Sequence, residues 1–155
     1  MAGSSIERVE LAAKAANLPI FIQRMDQSTR TAQEAADACG CMLDQIVKSL
    51  IFEGAETGAL KLLLVAGGNR IDMALAPDYV GEGLIRADPR LVRERTGFAI
   101  GGVAPIGHLQ PIDCFMDRKL LDFTQVWAAA GRPDSVFRVD PHKLLKVTGA
   151  TVVDS

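Results

Sequence analysis

Two β-like runs lie so close together in the chain that they decide much of its architecture. Ile46–Phe52 and Leu60–Ala66 are joined by the polar, glycine-containing segment Glu53–Gly58, a pattern that predicts a hairpin with a longer loop. A hairpin is antiparallel, which argues against a sheet built only of parallel strands. Helix signals interleave with it irregularly. Ser4 and Glu7 form a capping box before the amphipathic stretch Ser5 to Asn17, and Thr31 with Glu34 forms a second before Ala32–Cys39, which Gly40 closes. Asp88-Pro89 and Asp140-Pro141 each place an N-cap before a proline at the first helical position, and Gly97 and Gly149 stop the helices that follow. Further strands are expected from Ile20, at Ile112–Met116, Val126–Ala130 and Val136–Val139, and at Thr151–Val153. With no linker, repeat or low-complexity tract, the pattern predicts one compact domain over residues 1–155, of the α/β (mixed α+β) class, with a mixed sheet flanked by helices.

A chain of 155 residues is large enough to bury roughly two-thirds of its unfolded surface. With 48% apolar and 23% charged residues, it has the make-up of an ordinary soluble globular protein. No apolar run approaches the ~18 residues of a membrane span. Met1–Ser5 leads straight into a charged, helix-like segment without the pattern of a secretory signal, so a cytoplasmic location and no membrane partner are expected. Net charge is −2, from 17 basic and 19 acidic side chains. That lacks the basic excess with which a protein grips a duplex, so DNA is not an expected partner, while the end of a nucleic acid is compatible. Aromatic residues at 5% argue against a base-stacking platform. Cys39, Cys41 and Cys114 are odd in number and lack CxxC spacing, which argues against a disulfide framework or a zinc site. They read as small, partly buried hydrophobes in preference to thiol nucleophiles.

The stretch richest in chemical implication is Gly101-Gly102-Val103-Ala104-Pro105-Ile106-Gly107-His108. Three glycines let a backbone approach a ligand and point N–H groups at it, and Pro105 stiffens the turn; a wide connecting turn is the competing reading. The loop lacks G-x-x-x-x-G-K-[ST] and follows a helix, so neither a phosphate-binding loop nor a dinucleotide fingerprint fits. Far upstream, Lys48 sits inside the apolar run Ile46–Phe52. Strand alternation puts it on one face with Ile46, Leu50 and Phe52. It is either a lysine that snorkels from an edge strand or an ammonium at a pocket rim, suited to a phosphate or a developing oxyanion. His108 adjoins the loop and titrates near neutrality, whereas His142 reads as solvated. Arg86, Arg90, Arg93, Arg95, Arg118 and Lys119 are interspersed with Asp88, Glu94 and Asp117. They read as a mixed-charge surface or a modest phosphate-docking face.

With these residues in view, the chain resembles the YbaK and prolyl-tRNA synthetase editing-domain family of freestanding aminoacyl-tRNA deacylases. The matching segments are Thr31–Ala36, Gln45–Leu50, Leu63–Ala66, Ala87-Asp88-Pro89 through Thr96-Gly97, Gly101–Gly107, Val126–Gly131 and Leu144–Gly149. Together they cover nearly the whole chain. The resemblance implies a YbaK-like domain with a mostly antiparallel mixed sheet, and hydrolysis of mischarged tRNA. The typical substrate would be tRNA for proline carrying a wrong small amino acid such as alanine, cysteine or serine. It implies that Lys48 anchors the terminal adenosine and that Gly101 and Gly102 act on the aminoacyl ester through backbone N–H groups. Ile46, Ser49, Val103, Pro105, Ile106, Gly107, His108, Ala130 and Gly131 are implied as the substrate pocket, with Ser49 helping to set substrate size. No metal and no cofactor are implied. The partners would be the acceptor end of tRNA and a prolyl-tRNA synthetase. The alternative on the same scaffold is a non-catalytic module that recruits a synthetase or holds a nucleotide-like ligand.

Overall fold

The computed structural model describes residues 5–26, 29 and 31–154. Five helices are present among them: α1 (Ser5–Ala15), α2 (Ala32–Cys39), α3 (Ala76–Val80), α4 (Pro89–Thr96) and α5 (Pro141–Thr148). Eight strands accompany them: β1 (Phe21–Arg24), β2 (Val47–Gly54), β3 (Leu60–Ala66), β4 (Leu84–Arg86), β5 (Asp113–Asp117), β6 (Val126–Ala129), β7 (Ser135–Val139) and β8 (Thr151–Val153). The fold is mixed α+β, as the sequence pattern implies, and its strands divide between two sheets. One is five-stranded in the order β4-β2-β3-β5-β8, and the other is three-stranded in the order β1-β7-β6. The larger sheet is mixed, antiparallel across β4, β2 and β3 and parallel across β3, β5 and β8. The smaller one is antiparallel throughout.

The local signals are realised closely. Thr31 Oγ1 accepts the Glu34 N–H at 3.1 Å, and the Glu34 carboxylate accepts the Thr31 N–H at 3.2 Å, so the expected capping box opens α2. Gly40 closes it in the left-handed conformation. Asp88 and Asp140 each cap a helix with proline at its start. The capping box of Ser4 with Glu7 lies outside the described residues. α3 and β4 fall where the sequence carries no cap and no alternation long enough to read.

Strand β3 is buried along its whole length, because apolar layers cover both of its faces. Leu60, Leu62, Leu64 and Ala66 face the main core, where α1, α4, α5 and the smaller sheet pack (Val9, Val92, Leu144, Phe137). Leu63 and Val65 face a smaller cluster with Ala76, Leu84 and Phe115. The lysine within this strand is neutralised. Lys61 Nζ lies 2.9 Å from Asp113 and 3.8 Å from Glu82. Glu82 in turn accepts the N–H groups of Glu56 and Thr57 at the hairpin loop (2.9 and 3.0 Å), so a buried charge is compensated and ties the hairpin down. Among the described residues no helix is long and apolar enough to cross a membrane.

β2 is the strand that matters for the site. On one edge it pairs with β3 from Val47 to Glu53. On the other, β4 covers only Phe52, Glu53 and Gly54, and a single parallel bridge joins Ile46 to Trp127 of β6. Between these points the edge is open. α2 and the β6–β7 hairpin stand beside it, so the stability of α2 bears directly on the site. Thr31→Ala removes the side-chain half of the capping box and should lower unfolding free energy by about 1 kcal/mol. Chemical denaturation checks this, and an unchanged midpoint would show that tertiary packing alone holds α2.

Candidate functional site

A cleft of about 400 Å³ opens along the uncovered edge of β2. Val47, Lys48, Ser49 and Leu50 form its floor, with Ile46 at the end; Thr31, Ala32 and Ala35 of α2 form one wall. Trp127, Ala128 and Ala129 of β6, and Arg132, Pro133, Ser135 and Val136 at the β6–β7 turn, form another. Ile100, Gly101 and Val103 of the glycine loop close it, and Thr29 lies at the rim. Small side chains dominate the walls because the packing behind them requires it: Ala35, Ala36 and Ile46 form a buried cluster with Trp127 and Cys41. Its charged lining residues, among those described, are Lys48 and Arg132.

Lys48 is half-buried, and its Nζ donates to the backbone carbonyl of Asn69. The ammonium therefore rests against a residue outside the cleft lining. Burial lowers its pKa and the Arg70 guanidinium adds to that, opposed by the Asp117 and Asp44 carboxylates. Ser49 contributes a hydroxyl that is buried and has no hydrogen-bond partner among the described residues, an uncommon condition for a polar atom.

The glycine loop divides into two parts. Gly101 has φ 97° and space around it, a conformation that glycine adopts without strain. Its N–H and that of Val103 make no hydrogen bond among the described residues, and both residues line the cleft. The Gly102 N–H is committed, donating to the Ala99 carbonyl at 3.0 Å. What glycine supplies at 102 is closeness, since a Cβ there would sit 3.0 Å from the Arg132 Cα. The loop then turns away from the cleft. Pro105, Ile106, Gly107 and His108 line a separate depression with Ala12, Leu62 and Cys114. The His108 ring donates from Nε2 to the Ala104 carbonyl at 2.7 Å, lies edge-on to Phe98, and is held below the usual histidine pKa mainly by burial.

Of the residues singled out in the sequence, Ile46, Lys48, Ser49, Gly101 and Val103 thus share one cleft, with Gly102 directly behind it. Pro105 to His108 lie elsewhere. Ala130 and Gly131 are buried beyond the lining of β6, Gly131 against the backbone of Ser5. Arg118 and Lys119 pair with Asp154 and Asp122 away from the cleft. His142 is exposed and reaches the Leu121 carbonyl at 3.0 Å. Arg132, Thr29 and Ser135 were not legible as site residues, because their place at the cleft depends on the pairing of distant strands. Cys41 and Cys114 are free thiols pushed up by burial to about 11 and about 12, and Cys39 is raised for the same reason. Such thiols are poor nucleophiles. Among the described residues no group of three His, Cys, Asp or Glu side chains is placed to hold a metal ion.

Sequence and structure comparisons place the chain among known proteins. The family model of the aminoacyl-tRNA editing domain matches residues 26–147. Protein YwhH of Bacillus subtilis (strain 168) is 32% identical over 123 residues, which are 79% of this chain and 78% of that protein. A crystal structure described as a candidate trans-editing enzyme for prolyl-tRNA synthetase superposes with a TM-score of 0.88 at 46% identity, over 99% of this chain and 98% of the other. A stretch of 81 residues, 52% of this chain, is 33% identical to 14% of the proline–tRNA ligase of Thermosipho melanesiensis. The chain belongs to the aminoacyl-tRNA editing domain family.

Proposed function

We propose that the protein is a trans-editing hydrolase that cleaves the ester of misacylated tRNA, with tRNA for proline bearing a wrong small amino acid as its substrate. The observation that carries this reading is the meeting of Lys48 and Gly101, far apart in sequence, in one small-walled cleft. Water attacks the ester carbonyl, the carbon–oxygen bond to the terminal ribose breaks, and the ribose hydroxyl leaves with a proton. The developing oxyanion is met by the uncommitted N–H groups of Gly101 and Val103, donors that cost no reorganisation if they face it when the ester binds. Lys48 holds the negative end of the tRNA once its ammonium leaves the Asn69 carbonyl. The open edge of β2 offers backbone carbonyls to the substrate's amino group.

Among the described cleft residues there is no histidine, aspartate, glutamate or cysteine. The proton acceptor in this reading is therefore on the substrate, where the terminal ribose hydroxyl can position water. Selection rests on shape, with the small Ser49 side chain at the floor of the cleft leaving room for a small amino acid. Rejection of proline by shape alone draws on only ~1–3 kcal/mol per methylene difference. A prolyl-tRNA synthetase would supply the remaining grip on the tRNA, and a cytoplasmic location follows from that substrate.

Release of labelled amino acid from tRNA for proline charged with alanine, cysteine, serine or proline tests the proposal. Loss of one wrong amino acid with proline spared is the expected result; binding of tRNA or synthetase without hydrolysis would favour the non-catalytic module. Lys48→Ala should lower kcat/KM at least ~10-fold, the worth of one charge-assisted contact, while circular dichroism shows the fold intact. The ammonium is the active form, so binding of a non-hydrolysable aminoacyl-adenosine 5′-phosphate should weaken as rising pH passes a Lys48 pKa depressed below the ordinary lysine value. Lys48→Arg should remove that alkaline limb, because a guanidinium stays charged. Iodoacetamide at neutral pH should leave deacylation nearly unchanged; rapid loss would point to a thiol nucleophile instead.

A further inference from the structure

We infer that Arg132 is a second anchor of the cleft, one that binds the phosphate linking the terminal adenosine to the preceding nucleotide. The inference rests on the editing function proposed above and adds to it a residue and a ligand group. It starts from the charge of the lining: two cations, Lys48 and Arg132, and no carboxylate among the described residues. Lys48 rests its ammonium on the Asn69 carbonyl outside the lining, so Arg132 is the cation that stays with the cleft itself, and a lining with cations and no carboxylate suits an anion.

The surroundings of Arg132 compensate its charge only loosely, through one shared carboxylate. Asp134 is its nearest acid, with Oδ1 3.5 Å from Arg132 Nε. That carboxylate is already engaged, because Oδ2 accepts from Arg24 Nε at 3.0 Å and Oδ1 accepts from the Ser135 hydroxyl at 3.0 Å. Two guanidiniums thus share one carboxylate, and Arg132, the member that lines the cleft, makes the longer contact (3.5 Å against 3.0 Å). No other ion pair or hydrogen bond of the Arg132 side chain exists among the described residues.

The backbone beneath this side chain is fixed. Arg132 and Ser135 close a turn through the Ser135 N–H to Arg132 carbonyl bond (3.2 Å), braced by Ala130 N–H to Ser135 carbonyl (2.9 Å) and by Thr29 Oγ1 on the Pro133 carbonyl. Gly102 packs directly on the Arg132 backbone. The Arg132 side chain, half-exposed, therefore belongs to the same cleft lining as Gly101. A ligand whose ester reaches the Gly101 and Val103 amides would carry its nucleotide phosphate past this point. A planar fork of N–H donors suits a phosphate oxygen pair.

The test uses an amide-linked aminoacyl-adenosine, prepared with and without a methyl-esterified phosphate on its ribose 5′ oxygen. Affinities are measured for the wild type, Arg132→Gln, Arg132→Lys and Lys48→Ala, alongside deacylation of charged tRNA. Wild type should favour the phosphorylated compound by about tenfold or more, the worth of one charge-assisted contact. Arg132→Gln should remove most of that preference, Arg132→Lys should restore part of it, and added salt should shrink it. The affinity ratio is insensitive to a general loss of folded protein, which would affect both compounds alike. A preference that survives in Arg132→Gln, or that vanishes only in Lys48→Ala, overturns the inference. Equal binding of the two compounds by a wild type that still deacylates tRNA overturns it while leaving the proposed function standing. A wild type that binds neither compound and deacylates nothing overturns both.

Discussion

Everything distinctive about this molecule follows from one strand that is only partly covered. β2 needs β3 on one side to complete the larger sheet, and β4 covers only its last residues on the other. The unpaired stretch between Phe52 and the bridge at Ile46 would invite association if it faced solvent freely. Here α2 and the β6–β7 hairpin stand over it, close enough to shelter the edge and far enough to leave the cleft. The site is therefore a gap between two sheets, and its residues come from four separate parts of the chain. Each wall is supported from behind by a packed cluster, which keeps a cavity of this size from collapsing.

Under the proposed function, that arrangement would separate recognition from chemistry. Backbone groups of Gly101, Val103 and the β2 edge can address a carbonyl and an amine, which every aminoacyl ester carries. The cations at Lys48 and Arg132 can address the anionic tail that every tRNA carries. What remains to distinguish one amino acid from another is the space framed by the alanines of α2 and β6, together with the small Ser49 side chain. The thiols are withheld from this chemistry: Cys114 is buried in the core, and Cys39 and Cys41 are raised by burial at the end of α2.

Much of the fold was legible because its signals are local. Thr31 with Glu34, Asp88-Pro89, Asp140-Pro141 and the glycines that follow each helix are short-range motifs whose physics needs no distant partner, and the hairpin of β2 and β3 announces itself by two neighbouring apolar runs. The split into two sheets was not legible, since it depends on β7 pairing with β1 more than a hundred residues earlier. Lys61 illustrates the same limit: its burial makes sense only once Glu82 and Asp113 have been brought to it. In the site, Lys48 and Gly101 stood out by residue type. The glycine loop's turn away after Val103 did not, because Gly107 looks the same in sequence whether it meets a ligand or crosses the backbone of α1. Arg132 was hidden for the opposite reason, one arginine among many, distinguished only by how its neighbouring carboxylate is shared.

The central claim is that the cleft along β2 receives the aminoacyl end of the substrate. The most direct measurement is a map of backbone amide and indole resonances as a non-hydrolysable aminoacyl-adenosine is titrated into the labelled protein. The account predicts that Gly101, Val103, Ser49 and the indole of Trp127, the chain's single tryptophan, shift together and saturate at one affinity. Shifts confined to Ile106, Gly107, His108 and Leu109, with the β2 edge silent, would place the ligand in the other depression and contradict it.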